Sequence, residues 1–555
     1  MSTLPLAPQF ALLERWFLRI GLFLLPLAFW WDTYDRFVLP KILIARLLVL
    51  GLLVLYVART VTSRTLVVKR TPIDLPWLAF VASAIVSTLF AENQNVAVFG
   101  IYSRYDGMVT ILTYAALFWL SVQALNGPDD ARSLLRVLLA SGYVVAWIAI
   151  LQCVTDSLRL GAFTAAFGTL GQKNVLGAFL VMVCPLAYGE VVAARSWWTR
   201  VLAYNALAVC GLALYLSFSR SAWLAIAAAA VVAAIWIRGP GLRFGMAGVA
   251  AVLLLVGTIA VLTASQPQRT DLYEVGDRPA FWRDSVHLIV SQPLVGYGPD
   301  NFGLVFSRFQ ENNFGQQLDK AHAETLQIAA TQGVIGLAAY LFLIAAFIKA
   351  FWRGRRATGA FAVLAAWIAY TATLQVNFSA LASAFPFWIF AAAAMEMLGA
   401  THAFATRGLP PGRWVAATAF LGIAGIVAVG TLATVLPYFA DANLLKAVNA
   451  DFAGRSLDAQ APARLARSLS PRESVYAVEV ANIAFERGDW SAAREAYGDA
   501  AALGTYNPLV YRNLALADRN LGRIDEARAA ARKAVELDRF DPANRALLAQ
   551  FDTAS

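Results

Sequence analysis

Residues 320–347 read KAHAETLQIAATQGVIGLAAYLFLIAAF and place a histidine four residues before an apolar run. From Leu326 onward the run is long enough, at about 1.5 Å per residue, to cross a hydrocarbon layer of roughly 30 Å as a helix. His322 is one of only three histidines in the chain. The same kind of run recurs along the chain. Spans are expected at 12–31, 42–58, 75–91, 108–125, 136–154, 175–194, 201–217, 221–237, 245–264, 324–348, 358–376, 383–400 and 414–437. With 59% hydrophobic and 14% charged residues among 555, the composition excludes an ordinary soluble domain. The expected fold is all-α: a polytopic transmembrane helical bundle of about 12–13 spans over residues 1–438, a large outer loop at 265–323, and a C-terminal helical-repeat domain at 440–555. The first run carries Glu14, Arg15 and Arg19 with no small-residue cleavage pattern after it, so it is expected to stay as a helix rather than leave as a signal peptide.

Orientation follows from Lys and Arg, which cytoplasmic loops retain. An inner N-terminus collects Arg59, Arg64, Lys69 and Arg70, then Arg132 and Arg136, Arg195 and Arg200, Arg238 and Arg243, Lys349, Arg353, Arg355 and Arg356, and finally Arg407 and Arg413, in the inner loops. The net charge of +10 then needs no nucleic-acid partner. The same parity puts segment 265–323, the turn around Arg220 and His322 at the outer surface.

Beyond the last run the chain becomes Ala-rich and charged, and repeats every 34 residues. Ala447, Ala481 and Ala515 are in register, as are Gly454, Gly488 and Gly522, then Ala459, Ala493 and Ala527, then Ala466, Ala500 and Ala534. Small residues at these positions let two antiparallel helices pack closely around a turn, which resembles the tetratricopeptide repeat. Pro462 is expected to interrupt the second helix of the first repeat, and a helix near 542–552 to cap the stack. Thirteen spans put the repeats outside. Stacked repeats offer a surface for a protein partner, the alternative being a passive stabilising appendage.

Cys153, Cys184 and Cys210 fall inside expected spans and read as small packing residues. No metal-ligand spacing and no GxxxxGK loop occurs, so neither a metal nor another cofactor is expected and a nucleoside triphosphate is a poor substrate candidate. The chemistry is therefore sought at the outer face. Four stretches there differ from generic loop: YSRYDG (102–107), GTLGQKN (168–174), SFSRSAW (217–223) and DRPAFW (277–282), the last followed by PLVGYGPDNF (293–302). They bring Arg104, Lys173, Arg220 and Arg278. An arginine at a membrane edge is often only an anchor that snorkels to the headgroups. Arg220, between two apolar runs with only Ser217, Ser219 and Ser221 for local polar company, instead wants an anion, and its forked donors match phosphate oxygens. Gly333 and Gly336 fall beneath His322 on a continuous helix, leaving room for a neighbouring helix to approach. An interfacial histidine bonded to a carbonyl or headgroup is the alternative. His287, in the loop helix, and His402, in an inner loop, fit that lesser role.

In order and spacing these stretches resemble the O-antigen ligase and Wzy-type polymerase superfamily of bacterial envelope glycosyltransferases. The pattern of a histidine, a spacer and GxxG is met by His322 and GVIG at 333–336, with Ala323 where Asn, Ser or Gln is usual. SFSR resembles the outer Ser-Arg turn, DRPAFW with PLVGYGPDNF the start of the large outer loop, and GTLGQKNVLGAFL a GxxN stretch with Asn174 in the Asn position. The resemblance implies transfer, without a metal ion, of a glycan from a polyprenyl-diphosphate-linked donor to a hydroxyl acceptor (lipid A core, a protein or another glycan), among membrane lipids at the periplasmic face of the bacterial inner membrane. It implies Arg220 and Arg278 as diphosphate ligands and His322 as general base, with Lys173, Arg104 and Asn174 in support. Ligases, polysaccharide polymerases and protein O-oligosaccharyltransferases share the pattern, so the acceptor stays open. A lipid-linked glycan transporter or a non-catalytic envelope scaffold are the more distant alternatives. The first would more usually carry polar residues at mid-membrane depth, and the second needs far fewer spans.

Overall fold

The computed structural model describes residues 6–155, 165–236, 278–314, 317–407 and 413–552. In chain order the elements are α1 (Leu6–Leu27), α2 (Val38–Ser63), β1 (Thr65–Arg70), α3 (Asp74–Leu89), α4 (Gln94–Phe99), α5 (Met108–Ala124), α6 (Pro128–Val154), α7 (Lys173–Ala193), α8 (Trp197–Leu216) and α9 (Arg220–Trp236). Then come α10 (Arg278–Ser291), α11 (Phe302–Val305) with a 3-10 turn, α12 (Glu324–Gly354), α13 (Ala360–Leu374), α14 (Leu381–Met397), β2 (His402–Arg407) and α15 (Arg413–Phe452). The chain closes with α16 (Ser456–Leu469), α17 (Ser474–Glu486), α18 (Trp490–Leu503), α19 (Pro508–Asn520), α20 (Ile524–Leu537) and α21 (Pro542–Asp552).

Among the described residues six helices are long and apolar enough to cross a membrane: α2, α6, α7, α8, α12 and α15. Five shorter apolar helices, α3, α5, α9, α13 and α14, pack with them, and the chain is a multi-pass membrane protein. Twelve of the thirteen expected spans coincide with a helix; the ninth, 245–264, lies outside the described residues. α14 is apolar all round and accordingly central, with every residue but Trp388 buried. Cys184 and Cys210 are buried thiols, and Cys153 is half-buried.

The two ends of the bundle differ. At one, β1 and β2 form an antiparallel ribbon with Thr65 opposite Arg407 and Arg70 opposite His402. Arg59 pairs with Glu14 at 2.9 Å there, and the Lys69 backbone is held by the Gln123 amide through bonds of 2.7 and 2.9 Å. The ribbon is a departure from the expected bare loops, since its strands lie more than 300 residues apart and no local pattern pairs them. From this end α2 and α14 run to the other, where the segments around His322 gather.

The repeats dock on that second end. Ala447, Ala481 and Ala515, with their in-register partners at 459, 493, 527, 466, 500 and 534, are fully buried, and Gly454, Gly488 and Gly522 take φ of 70, 73 and 75°, a turn conformation that glycine adopts without a Cβ penalty. Pro462 does not break α16, contrary to expectation. The carbonyl it leaves unbonded, that of Asp458, belongs to an exposed residue of the first turn, where water can replace the lost partner. The turns that follow the second helix of each repeat make the docking edge, again at the 34-residue period: Arg472, Tyr506 and Phe540. The Asn95 amide donates to the Arg472 and Leu503 carbonyls at 3.0 Å, Arg472 lies 4.5 Å over Phe99, and Arg104 lies 5.7 Å from the Tyr506 ring. Next to Phe540, Arg539 donates to the Gln310 carbonyl, while Arg308 bridges Glu92 and, at 2.6 Å, Glu536. The stack is therefore held along one edge by the segments that lead to His322.

Candidate functional site

The turn between α8 and α9 is built from serines. Ser217 donates to the Leu214 carbonyl at 2.6 Å and accepts from the Ser219 amide at 3.3 Å, with Phe218 between them at φ 50°. Ser217, Ser219 and Ser221 are buried, which leaves the half-buried Arg220 as the polar group this turn presents. Ser219 donates to Asn174 Oδ1 at 3.1 Å, and a Cβ on Gly177 would stand 2.7 Å from that of Ser219. The start of α7, with Lys173 and Asn174, is thus fixed against the arginine turn. A residue that sequence reading passed over secures the loop before it: Lys41, fully buried in α2, donates to the carbonyls of Ala28, Phe37 and Thr169 at 2.7, 2.8 and 2.7 Å. All three of its protons are used, the condition for burying an ammonium. In the sequence it is a lysine at the start of an apolar run, and nothing local signals its role.

Arg278 opens α10 and donates to the Val376 carbonyl. Burial and the field of Arg220 lower its pKa, so the two guanidiniums feel one another across the site. His322 stands between Phe281, 6.2 Å away, and Phe378, 5.2 Å away and edge-on. Burial first and Arg278 second push its pKa down from 6.5 to about 4. The imidazole is therefore neutral at physiological pH. Arg220, Arg278 and His322, from three separate stretches, converge at one end of the bundle, with Lys173 and Asn174 at the start of α7 packed against the Arg220 turn.

The helix after His322 is not the straight one its pattern suggests. Gly333 takes φ 67° and ψ −169°, a conformation essentially confined to glycine, and breaks α12. Segment 293–298 fills the break: Tyr297 and Gly298 donate to the carbonyls of Ala330 and Thr331 at 3.1 and 2.8 Å, and Val334 donates to that of Pro293 at 2.8 Å. PLVGYGP and GVIG are thus two halves of one joint, in which segment 293–298 satisfies backbone groups that unwinding would leave bare inside a membrane protein. This corrects the expectation of two glycines clearing space for a neighbouring helix. A Cβ on Gly333 would lie 2.2 Å from the Leu294 carbonyl oxygen in a backbone conformation closed to other residues, whereas one on Gly336 would lie 2.3 Å from the Gln332 Cβ but on ordinary helical backbone. Gly333→Ala is expected to cost roughly 3 kcal/mol or more from backbone strain and overlap together. Thermal unfolding in detergent checks this: Gly336→Ala, free of the backbone strain, should cost less, and equal melting of the two variants would contradict the assignment.

Arg104 is not brought into the arginine pair. It is 12% exposed and committed to two carboxylates, Asp300 at 3.0 Å and Asp319. Burial works to lower its pKa, but these two anions raise it overall. A guanidinium so neutralised has little left to offer a diphosphate. His287 lies half-exposed on α10, near Glu311 and Asp284, where Arg283 reaches both carboxylates, and His402 sits in the ribbon at the far end. A cavity of about 140 Å³ opens beside the histidine segment, reached by Lys320 and Glu324 rather than His322, with Asp106, Tyr114, Ser379 and Trp388 in its wall.

No curated protein matches the chain. Among solved structures, the Arabidopsis OM64 TPR domain is similar at 18% identity over 22% of this chain and 99% of that one, with a TM-score of 0.21. The APC/C hetero-tetramer Cut9-Hcn1 is similar at 14% identity over 80% of this chain and 88% of that one, with a TM-score of 0.19. The repeat architecture itself rests on the helical hairpins and their register. Residues 205–341, which hold Arg220, Arg278, His322 and the Gly333 joint, match the family described as O-antigen ligase, Wzy_C.

Proposed function

We propose that this protein moves a glycan from a polyprenyl-diphosphate carrier to a hydroxyl acceptor at the outer face of a bacterial cytoplasmic membrane. The observation that supports this most is the convergence of Arg220, Arg278 and His322 at the end of the bundle opposite the Lys- and Arg-rich ribbon. Two guanidiniums in one partly buried site repel each other until an anion with several oxygens arrives. A diphosphate relieves that repulsion and accepts forked hydrogen bonds.

In the reaction the acceptor oxygen bonds to the anomeric carbon while the bond from that carbon to the diphosphate oxygen breaks. The electron pair leaves with the carrier lipid, where the arginines stabilise the developing charge and take the part a divalent ion plays elsewhere. The acceptor's proton goes to the neutral imidazole of His322, which later releases it to water. Lys173 and Asn174 hold the glycan or diphosphate from the α7 side. Arg104 supports the site through the protein rather than through the substrate. Nucleotide sugars are cytosolic, so a transferase on the outer face draws on a lipid-linked donor.

The test is turnover by purified protein in liposomes that hold a polyprenyl-diphosphate oligosaccharide and a glycan or lipid-glycan acceptor, with a chelator present and no nucleotide. Release of polyprenyl diphosphate with a matching gain in acceptor mass is expected. Strict dependence on an added nucleotide sugar would overturn the reading, and strict dependence on a divalent ion would overturn its charge-stabilising part.

A further inference from the structure

Two ion pairs cross between YSRYDG and the segment that leads into His322. Arg104 reaches the Asp319 carboxylate and donates to the Asp319 carbonyl at 2.9 Å, while its other arm reaches Asp300 at 3.0 Å. Two residues further on, Asp106 takes the Lys320 ammonium, whose second bond runs to the Ser379 carbonyl at 3.0 Å. The Ser379 amide donates in turn to Glu324 at 3.0 Å, on the other side of the histidine. Asp300 closes the ring by accepting from the Ile101 amide at 2.7 Å.

These groups are withdrawn from water: the Lys320 side chain is 6% exposed and that of Asp300 1%. The Lys320 ammonium also lies 5.2 Å from the Phe378 ring, whose edge packs on the imidazole. His322 sits between these fixed points at φ 50°, a left-handed conformation uncommon outside glycine that histidine visits more readily than most residues. From the crossed pairs, the shared Phe378 contact and the left-handed backbone between them, we infer that Arg104, Asp106 and Lys320 are positioning residues that set the orientation of the His322 imidazole. The inference rests on reading His322 as the base. It gives the chain's YSRYDG stretch a role without substrate contact, and it lets the docked repeats, through Tyr506 behind Arg104, stabilise the same clamp.

The experiment compares single-turnover transfer and donor affinity in purified full-length Asp106→Asn, Lys320→Met, the swapped pair Asp106→Lys with Lys320→Asp, and His322→Ala. Each single clamp variant is expected to lose on the order of 10- to 100-fold in transfer, the scale of a base displaced by about an ångström. Donor affinity should stay within about twofold, because the donor's ligands are untouched. The swapped pair should recover most of the loss. A folded Lys320→Met at wild-type rate beside an inactive His322→Ala overturns the clamp and spares the base; a wild-type rate in His322→Ala overturns the base itself. Where a single variant does not fold, the swap decides: folded and active supports the clamp, folded and inactive overturns it.

Discussion

Replacing Arg220 and Arg278 together by alanine is expected to abolish measurable transfer and to weaken donor binding, in a protein that still folds. Each arginine alone should cost about 100-fold in rate, the scale seen when one charge-stabilising donor is removed from a developing oxyanion. The two effects should not simply multiply, because the guanidiniums act on one diphosphate. Removing either relieves the mutual repulsion of two partly buried guanidiniums, which offsets the bond to the Val376 carbonyl lost in Arg278→Ala, so the protein should still fold. Lysine at either position should rescue only in part, since an ammonium carries the charge without the fork. Transfer rates and melting temperatures of the two single variants and the double variant check this. Wild-type turnover in the folded double variant would remove the diphosphate assignment.

His322→Ala should lose on the order of 100-fold or more in transfer while donor affinity holds, because a base acts on the acceptor and not on the carrier. The pH profile carries a second expectation. A base works only while neutral, and burial with Arg278 moves this imidazole from 6.5 to about 4. The rate should therefore stay level from neutrality down past the usual histidine range and fall only near pH 4. Asp319 pulls in the opposite direction and Lys320 in the same one as Arg278. In Arg278→Ala, with one nearby positive charge gone, the residual activity should fall off at higher pH than in wild type. An acid limb that does not move in that variant would separate His322 from Arg278.

The membrane part was readable because apolar runs of span length leave few alternatives, and the repeats because a 34-residue period repeats small residues that must be buried. Arg220 and His322 were readable for a related reason: each is an expensive polar group at an apolar boundary. What stayed hidden depends on partners far away in the chain. Gly333 sits in an unbroken apolar pattern, and only the backbone of residues 293–298 shows that the helix parts there. Arg104 looks like any outer arginine until Asp300 and Asp319, about 200 residues on, are seen to neutralise it. Lys41 and the ribbon of β1 with β2 were missed on the same ground, since a hydrogen bond to a distant carbonyl or strand leaves no local signature.

In the proposed reaction the work is divided: arginines for the carrier's diphosphate, histidine for the acceptor's proton. The most direct measurement is donor affinity and single-turnover transfer, side by side, for wild type, Arg220→Ala with Arg278→Ala, and His322→Ala, all purified at full length. The arginine double variant is expected to lose both donor binding and transfer, and His322→Ala to keep donor binding and lose transfer alone. Equal transfer rates in His322→Ala and wild type, or donor affinity unchanged in the arginine double variant, would contradict this division.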